Sequence, residues 1–400
     1  MTGVSARRRP LMLGVILASQ TIANVGPLGI PAIASLIRAD LGLTLTQAGS
    51  MLSAYYIGPI LMSLPAGTLA DRWGVKRIIV LGQVVIALGL LALSTSGSYA
   101  TLMVLTALAG CGYGMLNPSS TQAVIAWSPP RHRASIVGLK QVGLPFGGML
   151  GAVLLPALAL PLGWRTAVVI SALPVAAGAL VSLAIYRDPP GEAMPAPPGA
   201  RGSFAEVVGM RDVWLVSMAT LVFAAMQTIW MAFLALYLQS VVGLSLLAAS
   251  RYLALAQFGG MAGRMSFALL SDRALAGGRR VPLVIAGCGS ALCSLAISAV
   301  GPGTPALWLL PLALLFGFVG IGWNGVQLTL LAELAGRRAA GTALGLGLAV
   351  SSVGVTLGPP IFGYLVTFTG SFRIPWIALA LTMLGALALL YPVRERGAAR

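Results

Sequence analysis

The chain has 400 residues, of which 58% are hydrophobic types and only 8% are charged, against about 25% in an ordinary soluble domain. So few charged side chains cannot cover a soluble surface, which excludes soluble enzymes, nucleic-acid-binding proteins and disordered chains. The net charge of +16 comes from 25 basic and 9 acidic residues, and its meaning depends on where the basic residues lie.

Charged residues separate the apolar segments of the first half, and a membrane helix needs about 20 apolar residues. Six spans are predicted, because the longest uncharged stretch is broken at Gly97–Tyr99 and therefore holds two of them. The stretches are 10–37, 41–70, 78–130, 134–164 with Lys140 alone inside it, and 166–186.

The second half repeats this pattern about 200 residues later. Its double-length stretch begins at 281, against 78 in the first half, and is broken at Gly301–Gly303. The stretches are 213–250, 252–271 with Arg264 inside it, 281–332, 339–372 and 374–393. An internal repeat of this length predicts an all-α integral membrane protein with 12 transmembrane helices in two pseudo-symmetric six-helix bundles.

The two bundles are predicted to cover residues 1–187 and 212–400, joined by a cytoplasmic linker, 188–211, that contains five prolines. Residues 204–212 are a candidate short interfacial helix. With the N-terminus inside, 19 Lys and Arg lie on the cytoplasmic side and four on the other side. This bias predicts a multi-pass protein of the cytoplasmic membrane with both termini in the cytoplasm and anionic headgroups beside the basic face.

Three cysteines lie in apolar segments, and the single histidine, His132, lies in a basic loop. This pattern indicates neither a disulfide framework nor a metal site. An integral-membrane enzyme would need clustered nucleophiles or bases, so we expect no catalysis and no cofactor. We also expect no nucleic-acid partner and a monomeric protein.

The loop after the second span runs G-T-L-A-D-R-W-G-V-K-R from Gly67 to Arg77. It closely resembles the G-x-L-x-D-R-x-G-x-K/R signature of the major facilitator superfamily. A second copy lies at the matching place of the second half, where Asp272 follows Asp71 by 201 residues and Ala268 replaces the first glycine. The resemblance covers essentially the whole chain and implies a secondary transporter of that fold.

The resemblance also implies that these cytoplasmic turns gate the transporter. Gly67 would let the second span approach a neighbour closely, and Asp71 would face the positive N-terminus of another helix, by resemblance the eleventh span. Alternatively, the charges only fix the turn and the topology. The predicted gating residues are Gly67, Asp71, Arg72, Lys76, Arg264, Asp272 and Arg273.

Lys140 lies seven residues past Arg133, which places it about 10 Å into the bilayer. Either it faces the cavity, the interpretation we favour, or it snorkels to the inner headgroups. The segments Lys140–Gly148 and Gly322–Gly325 resemble a branch that includes cyanate- and nitroimidazole-type transporters and other organic-anion carriers.

No Asp or Glu occurs in the core of any span, so the one deep ionisable group is a cation. A small organic or inorganic anion, such as a monocarboxylate, is therefore the predicted substrate, with a proton as candidate coupling ion in symport or antiport. An exporter of hydrophobic drugs or neutral metabolites is the alternative, and a sensor without flux stays open. Predicted substrate-binding residues are Lys140, Gln141, Gln20, Asn24, Tyr55, Tyr113, Asn117, Gln227, Trp230, Gln257, Asn324 and Gln327, about half of which we expect to be structural.

Overall fold

The computed structural model of the chain describes residues 3–128, 133–188, 204–271 and 278–395, and every regular element in these ranges is helical. The helices are α1 (Gly3–Gly29), α2 (Ala34–Leu41), α3 (Leu45–Trp73), α4 (Val75–Leu93), α5 (Tyr99–Trp127), α6 (Arg133–Leu162), α7 (Trp164–Ile185), α8 (Phe204–Val208), α9 (Arg211–Ser240), α10 (Leu246–Leu269), α11 (Arg280–Ser298), α12 (Ala306–Phe316), α13 (Asn324–Thr369) and α14 (Arg373–Leu390).

Ten segments of the described chain are long and apolar enough to cross a membrane. The helices α3 and α10, with 29 and 24 residues, are also of membrane-spanning length. Together they are consistent with the 12 predicted spans. The first span is α1 and α2 joined by a 3-10 turn at Ile30–Ile33, and the tenth is α12, a π-helical turn at Gly317–Ile321 and the start of α13.

Local sequence signals set the helix ends. Ser98 forms a capping box with Thr101, so α5 begins at Tyr99, within the predicted break. The predicted break at Gly301–Gly303 lies between α11 and α12. Gly336 divides α13 into the tenth and eleventh spans because its φ of +73° interrupts the helix, a conformation that favours glycine.

The chain divides into two compact units. Unit 1 contains Met1–Met194 and Leu246–Ala254, and unit 2 contains Pro195–Ser245 and Leu255–Arg400. The boundaries predicted at 187 and 212 stay a prediction. The short helix α8 lies within the predicted linker, whereas residues 189–203 lie outside the described part of the chain.

Both units use glycines to bring equivalent helices together. In unit 1, α1 packs on α6 and α7, and a Cβ on Gly147 or Gly151 of α6 would collide with carbonyl oxygens of α1. In unit 2, α9 packs on α13 and α14, and Gly354 and Gly358, each 207 positions after its counterpart, contact α9 at Leu221 and Ala225. The repeat predicted from charge spacing thus reappears in the packing.

Candidate functional site

Lys140 lies inside unit 1, and its side chain is fully buried. Its Nζ atom lies 2.6 Å from Oδ1 of Asn117, 2.8 Å from the carbonyl oxygen of Asn117 and 2.9 Å from Oγ1 of Thr121. The three acceptors match the three donors of an ammonium group, and all of them are neutral. Among the described residues, no acidic side chain forms an ion pair with Lys140.

The glycines of α6 explain why Lys140 points into the bundle. Gly143, Gly147 and Gly151 follow Lys140 at positions 3, 7 and 11, which lie on the same helix face. That face packs on α1, since a Cβ on Gly143 would lie 3.0 Å from Oγ1 of Thr21. The amine therefore lies among α1, α5 and α6, and the buried position does not fit the snorkelling alternative.

A chain of polar contacts extends from Lys140 to α1. Ser120 donates to Oε1 of Gln20 at 3.3 Å and to the Asn117 carbonyl at 3.0 Å. The Asn24 amide donates to the Gln20 carbonyl at 2.6 Å. Nε2 of Gln20 and Oδ1 of Asn24 are both buried without a hydrogen-bond partner in the described chain. The cluster thus offers a substrate one cation, one free donor and one free acceptor.

The two predicted tyrosines of unit 1 pack against each other. The ring centroids of Tyr55 and Tyr113 lie 5.7 Å apart, and both residues are buried. The Tyr55 hydroxyl has no partner among the described residues. Gln141, next to Lys140, is half-buried. Among the predicted residues of unit 1, the structure thus links Asn117 of α5, and through Ser120 also Gln20 of α1, to the α6 lysine, whereas Tyr55 of α3 contacts Tyr113.

Three of the four predicted amides of unit 2 form hydrogen bonds at two separate places. Nδ2 of Asn324 donates to Oε1 of Gln227 at 3.0 Å. Nε2 of Gln327 donates to Oγ1 of Thr220 at 2.9 Å and lies 3.4 Å from Oγ of Ser351. With the 3.3 Å contact between the hydroxyls of Thr220 and Ser351, these bonds tie α9 to both parts of α13, a structural role that hydrogen bonds between membrane helices commonly have.

Trp230 belongs to an aromatic core of unit 2. Its ring stacks on Phe316 with centroids 3.8 Å apart, and its indole nitrogen donates to Ser294 at 3.0 Å. The ring centroid of Trp376 lies 5.1 Å from that of Trp230, and the two rings are tilted by 56°. Since Trp230 is fully buried and satisfied, its contacts are those of a packing residue. Gln257 is buried as well, and its amide nitrogen has no partner in the described residues.

The equivalent position of unit 2 does not carry a cation like Lys140. At the spacing of 207 that relates the packing glycines of α6 and α13, the counterpart of Lys140 is Gly347. A Cβ on Gly347 would collide with the side chain of Leu331, so this position of unit 2 has no room for a lysine in its present packing. The fold therefore forms the equivalent helix packing without a charge, and Lys140 is a feature of unit 1 alone.

The turn between α3 and α4, which is predicted to be cytoplasmic, is held by an acidic residue that was not among the predicted gating residues. Oδ1 of Asp188, just after α7, accepts from the backbone N–H of Lys76 at 3.0 Å. A Cβ on Gly74, whose φ is +88°, would lie 3.0 Å from Oδ2 of the same carboxylate. Unit 2 has the equivalent contact, because Glu395 after α14 accepts from the backbone N–H of Arg279 at 2.7 Å.

Only some of the other predicted gating residues lie within the described part of the chain. No atom lies within 4 Å of a Cβ placed on Gly67, so the close helix approach predicted there is not seen among the described residues. Arg72 is exposed, and Nε of Arg264 lies 3.4 Å from the carbonyl of Ile321. The side chain of Asp71, together with Asp272 and Arg273, lies outside the described part of the chain.

Several hydrogen-bond partners of the predicted residues were not predicted, and all of them are serine or threonine hydroxyls. Thr121 is four residues after Asn117 and shares its helix face, which is a signal that the sequence contains. Ser120, Thr220 and Ser351 carry no comparable signal, since a buried serine or threonine usually bonds to its own helix.

A family model described as the Major Facilitator Superfamily matches residues 11–351. The "Probable sulfoacetate transporter" of Cupriavidus necator is 26% identical over 96% of this chain and 94% of its own. The hexuronate transporter of Bacillus subtilis is 30% identical over 34% of this chain and 32% of its own. A solved structure of a bacterial homologue of the human lysosomal transporter Spinster, inward-facing and unoccupied, is 20% identical and covers 96% of both chains with a TM-score of 0.78.

Proposed function

Since the chain belongs to the Major Facilitator Superfamily, we propose that it is a secondary active transporter that moves a small organic anion across the cytoplasmic membrane by alternating access. The observation that carries this proposal is Lys140, a buried amine held by three neutral acceptors. A cation in that position without a counter-charge favours an anionic cargo.

The binding step follows from the partners of Lys140. A carboxylate or sulfonate replaces the Asn117 carboxamide as an acceptor of the amine, and charge-assisted hydrogen bonds are about twice as strong as neutral ones. Nε2 of Gln20 and Oδ1 of Asn24 bind a second polar group of the substrate, because they are buried and without partners in the described chain. Lys140 gives up and regains its proton as the anion leaves and enters, which couples transport to protons.

Two further observations support an anion. Equivalent packing in unit 2 exists without a lysine, so Lys140 is not required by the helix contacts. Relatives are named as transporters of sulfoacetate, hexuronate and 4-hydroxybenzoate, all of which are acids. The gating role of the cytoplasmic turns stays a prediction.

The test is counterflow in proteoliposomes with matched pairs of solutes. We expect exchange of at least one of 4-hydroxybenzoate, glucuronate and sulfoacetate. We expect none of the neutral analogues 4-hydroxybenzamide and glucose. Exchange of only the neutral analogues would refute the anion and favour the alternative exporter, and exchange of no solute in an anion-wide panel would favour a sensor.

A further inference from the structure

A basic cleft of about 670 Å³ opens at one end of unit 2 and shares no lining residue with the Lys140 cluster of unit 1. Arg211 at the start of α9, Arg280 at the start of α11, and Tyr391 and Arg394 after α14 line it. The ends of three membrane helices meet there, so the cleft lies at the membrane–water boundary. The basic bias of the loops predicts the cytoplasmic side.

Basic side chains outnumber acidic ones among the described residues that line the cleft. Asp212 is the one acidic residue in the lining, against three arginines. Within the described chain, the guanidinium groups of Arg211 and Arg394 form no hydrogen bond and no ion pair. The neighbouring Glu395 is the second acidic residue at this end of unit 2, and its carboxylate accepts from the backbone N–H groups of Arg279 and Arg280 rather than from the arginine side chains of the cleft.

Arg280 is held in place as a wall of the cleft. Its Nη1 atom donates to the carbonyls of Tyr391 at 2.9 Å and Val393 at 3.3 Å. Its guanidinium carbon lies 5.9 Å from the centre of the Tyr391 ring. Its Nε and Nη2 donors have no hydrogen-bond partner among the described residues, and the planar donor pattern of arginine suits phosphate oxygens.

An apolar path leads from the cleft along the surface of α11. Val281, Ile285 and Leu292 lie on one face of that helix and are 45%, 44% and 65% exposed. Tyr391 is 81% exposed, as expected for an aromatic residue at a membrane interface. A ligand with a phosphate head and acyl chains matches both parts of this surface, whereas a soluble phosphate ester would use only the cleft.

We propose that this cleft binds the phosphate headgroup of an anionic phospholipid from the cytoplasmic leaflet. Basic pockets between helix ends on that side are suited to such headgroups. The site is separate from the substrate cluster of unit 1, so it does not depend on the identity of the transported solute.

The test is the thermal stability of the full chain in detergent, titrated with phosphatidylglycerol, phosphatidylcholine or glycerol 3-phosphate. Phosphatidylglycerol is expected to raise the melting temperature, and the double variant Arg211→Gln, Arg394→Gln to weaken its apparent affinity about tenfold or more. The matched control Arg8→Gln, an exposed arginine of unit 1, is expected to keep the wild-type affinity. Asp212→Asn keeps all three arginines and is expected to bind phosphatidylglycerol more tightly than the wild type.

Wild-type affinity in the double variant, or equal stabilisation by phosphatidylcholine, overturns the proposal. If glycerol 3-phosphate stabilises the protein with the same dependence on Arg211 and Arg394, the ligand is a soluble phosphate ester and the lipid assignment is wrong. The Asp212→Asn variant decides the question if the double variant does not fold. An unchanged affinity of Asp212→Asn for phosphatidylglycerol would also contradict a site in which charge drives binding.

Discussion

The ammonium nitrogen of Lys140 and the carboxamide oxygen of Asn117 lie 2.6 Å apart in the interior of unit 1, on α6 and α5. The contact satisfies the amine without neutralising it, because a carboxamide carries no charge. The backbone carbonyl oxygen of Asn117, which also contacts the amine, accepts from the hydroxyls of Ser120 and Thr121 as well, so this oxygen stays hydrogen-bonded if the lysine moves away. The arrangement thus holds a cation by neutral acceptors, and the carboxamide oxygen of Asn117 is the acceptor that must find another donor when the lysine turns to an anion.

Replacing Lys140 by Met should separate transport from stability. Methionine fills a similar volume without a charge, so it removes the desolvation cost of a buried cation, which offsets the loss of a hydrogen-bond donor to the Asn117 carboxamide. We expect anion counterflow to fall at least about tenfold, while the melting temperature stays level or rises. Gln83→Met, which removes a buried amide of α4 outside the cluster, is the control and should keep transport. Transport that survives Lys140→Met would falsify the proposed role of the amine.

Asn117→Asp tests the sign of the charge directly. The new carboxylate lies within ion-pair distance of Lys140 and occupies the position that we assign to the substrate anion. Anion affinity should fall about tenfold or more, because the cargo must now displace a counter-charge. Asn117→Ser leaves the cation unneutralised and should bind more anion than Asn117→Asp. The measurement is the half-saturating anion concentration in counterflow, and equal values for the two variants contradict the hypothesis.

The helical scaffold was predictable because apolar length and charge spacing encode membrane spans. The breaks at Gly97–Tyr99 and Gly301–Gly303 lie between helices because capping residues and proline have local effects. Lys140 could also be singled out, since a charge within an apolar span is rare.

Side-chain partners were harder to predict, because they depend on how the helices pack against each other. Trp230 and Gln327 have the polar atoms of a cavity lining, yet one lies in an aromatic core and the other bonds to Thr220. Asp188 was counted only as part of a linker, although it caps α4 more than 100 residues earlier in the chain. Such contacts follow from the register of helix pairs, which composition does not determine.

Asp188→Ala should destabilise the protein by about 1 kcal/mol, the usual cost of losing an acceptor at a helix N-terminus. The backbone N–H of Lys76 then loses the carboxylate that it contacts at 3.0 Å. Asp188→Asn keeps an acceptor oxygen and should be close to the wild type. The check is the melting temperature of both variants at neutral pH, and an equal loss in both would mean that the charge rather than the hydrogen bond matters.

The contact between Asp188 and Lys76 also predicts that the stability of the protein depends on pH. Burial raises the pKa of the Asp188 carboxyl, and this outweighs the Lys76 backbone N–H and ammonium group, which act to lower it. A raised pKa means that the folded state favours the protonated carboxyl. The carboxyl therefore contributes its full stabilisation below the unfolded-state pKa of about 3.9, and this contribution is lost as pH rises through the folded-state pKa. Relative to Asp188→Asn, the wild type should therefore gain stability as pH falls from neutral. The gain is small because the side chain touches solvent, and a relative loss of stability would contradict it.

Gly147→Ala tests whether close packing of α6 on α1 positions the lysine. The added Cβ collides with the carbonyl oxygen of Thr21, which is backbone and cannot turn aside. Overpacking of this kind costs about 1 to 3 kcal/mol. Gly138→Ala is the matched control on the same helix, because no atom lies within 4 Å of its Cβ position and alanine favours the helix by up to about 1 kcal/mol. We therefore expect Gly147→Ala to lower both the melting temperature and the affinity for the anion, because pushing α6 away from α1 moves Lys140 relative to Gln20. The control Gly138→Ala should lower neither of the two quantities. If Gly147→Ala lowers stability but leaves anion affinity at the wild-type value, the substrate does not bridge α6 and α1, and the assignment of Gln20 and Asn24 to the site is wrong.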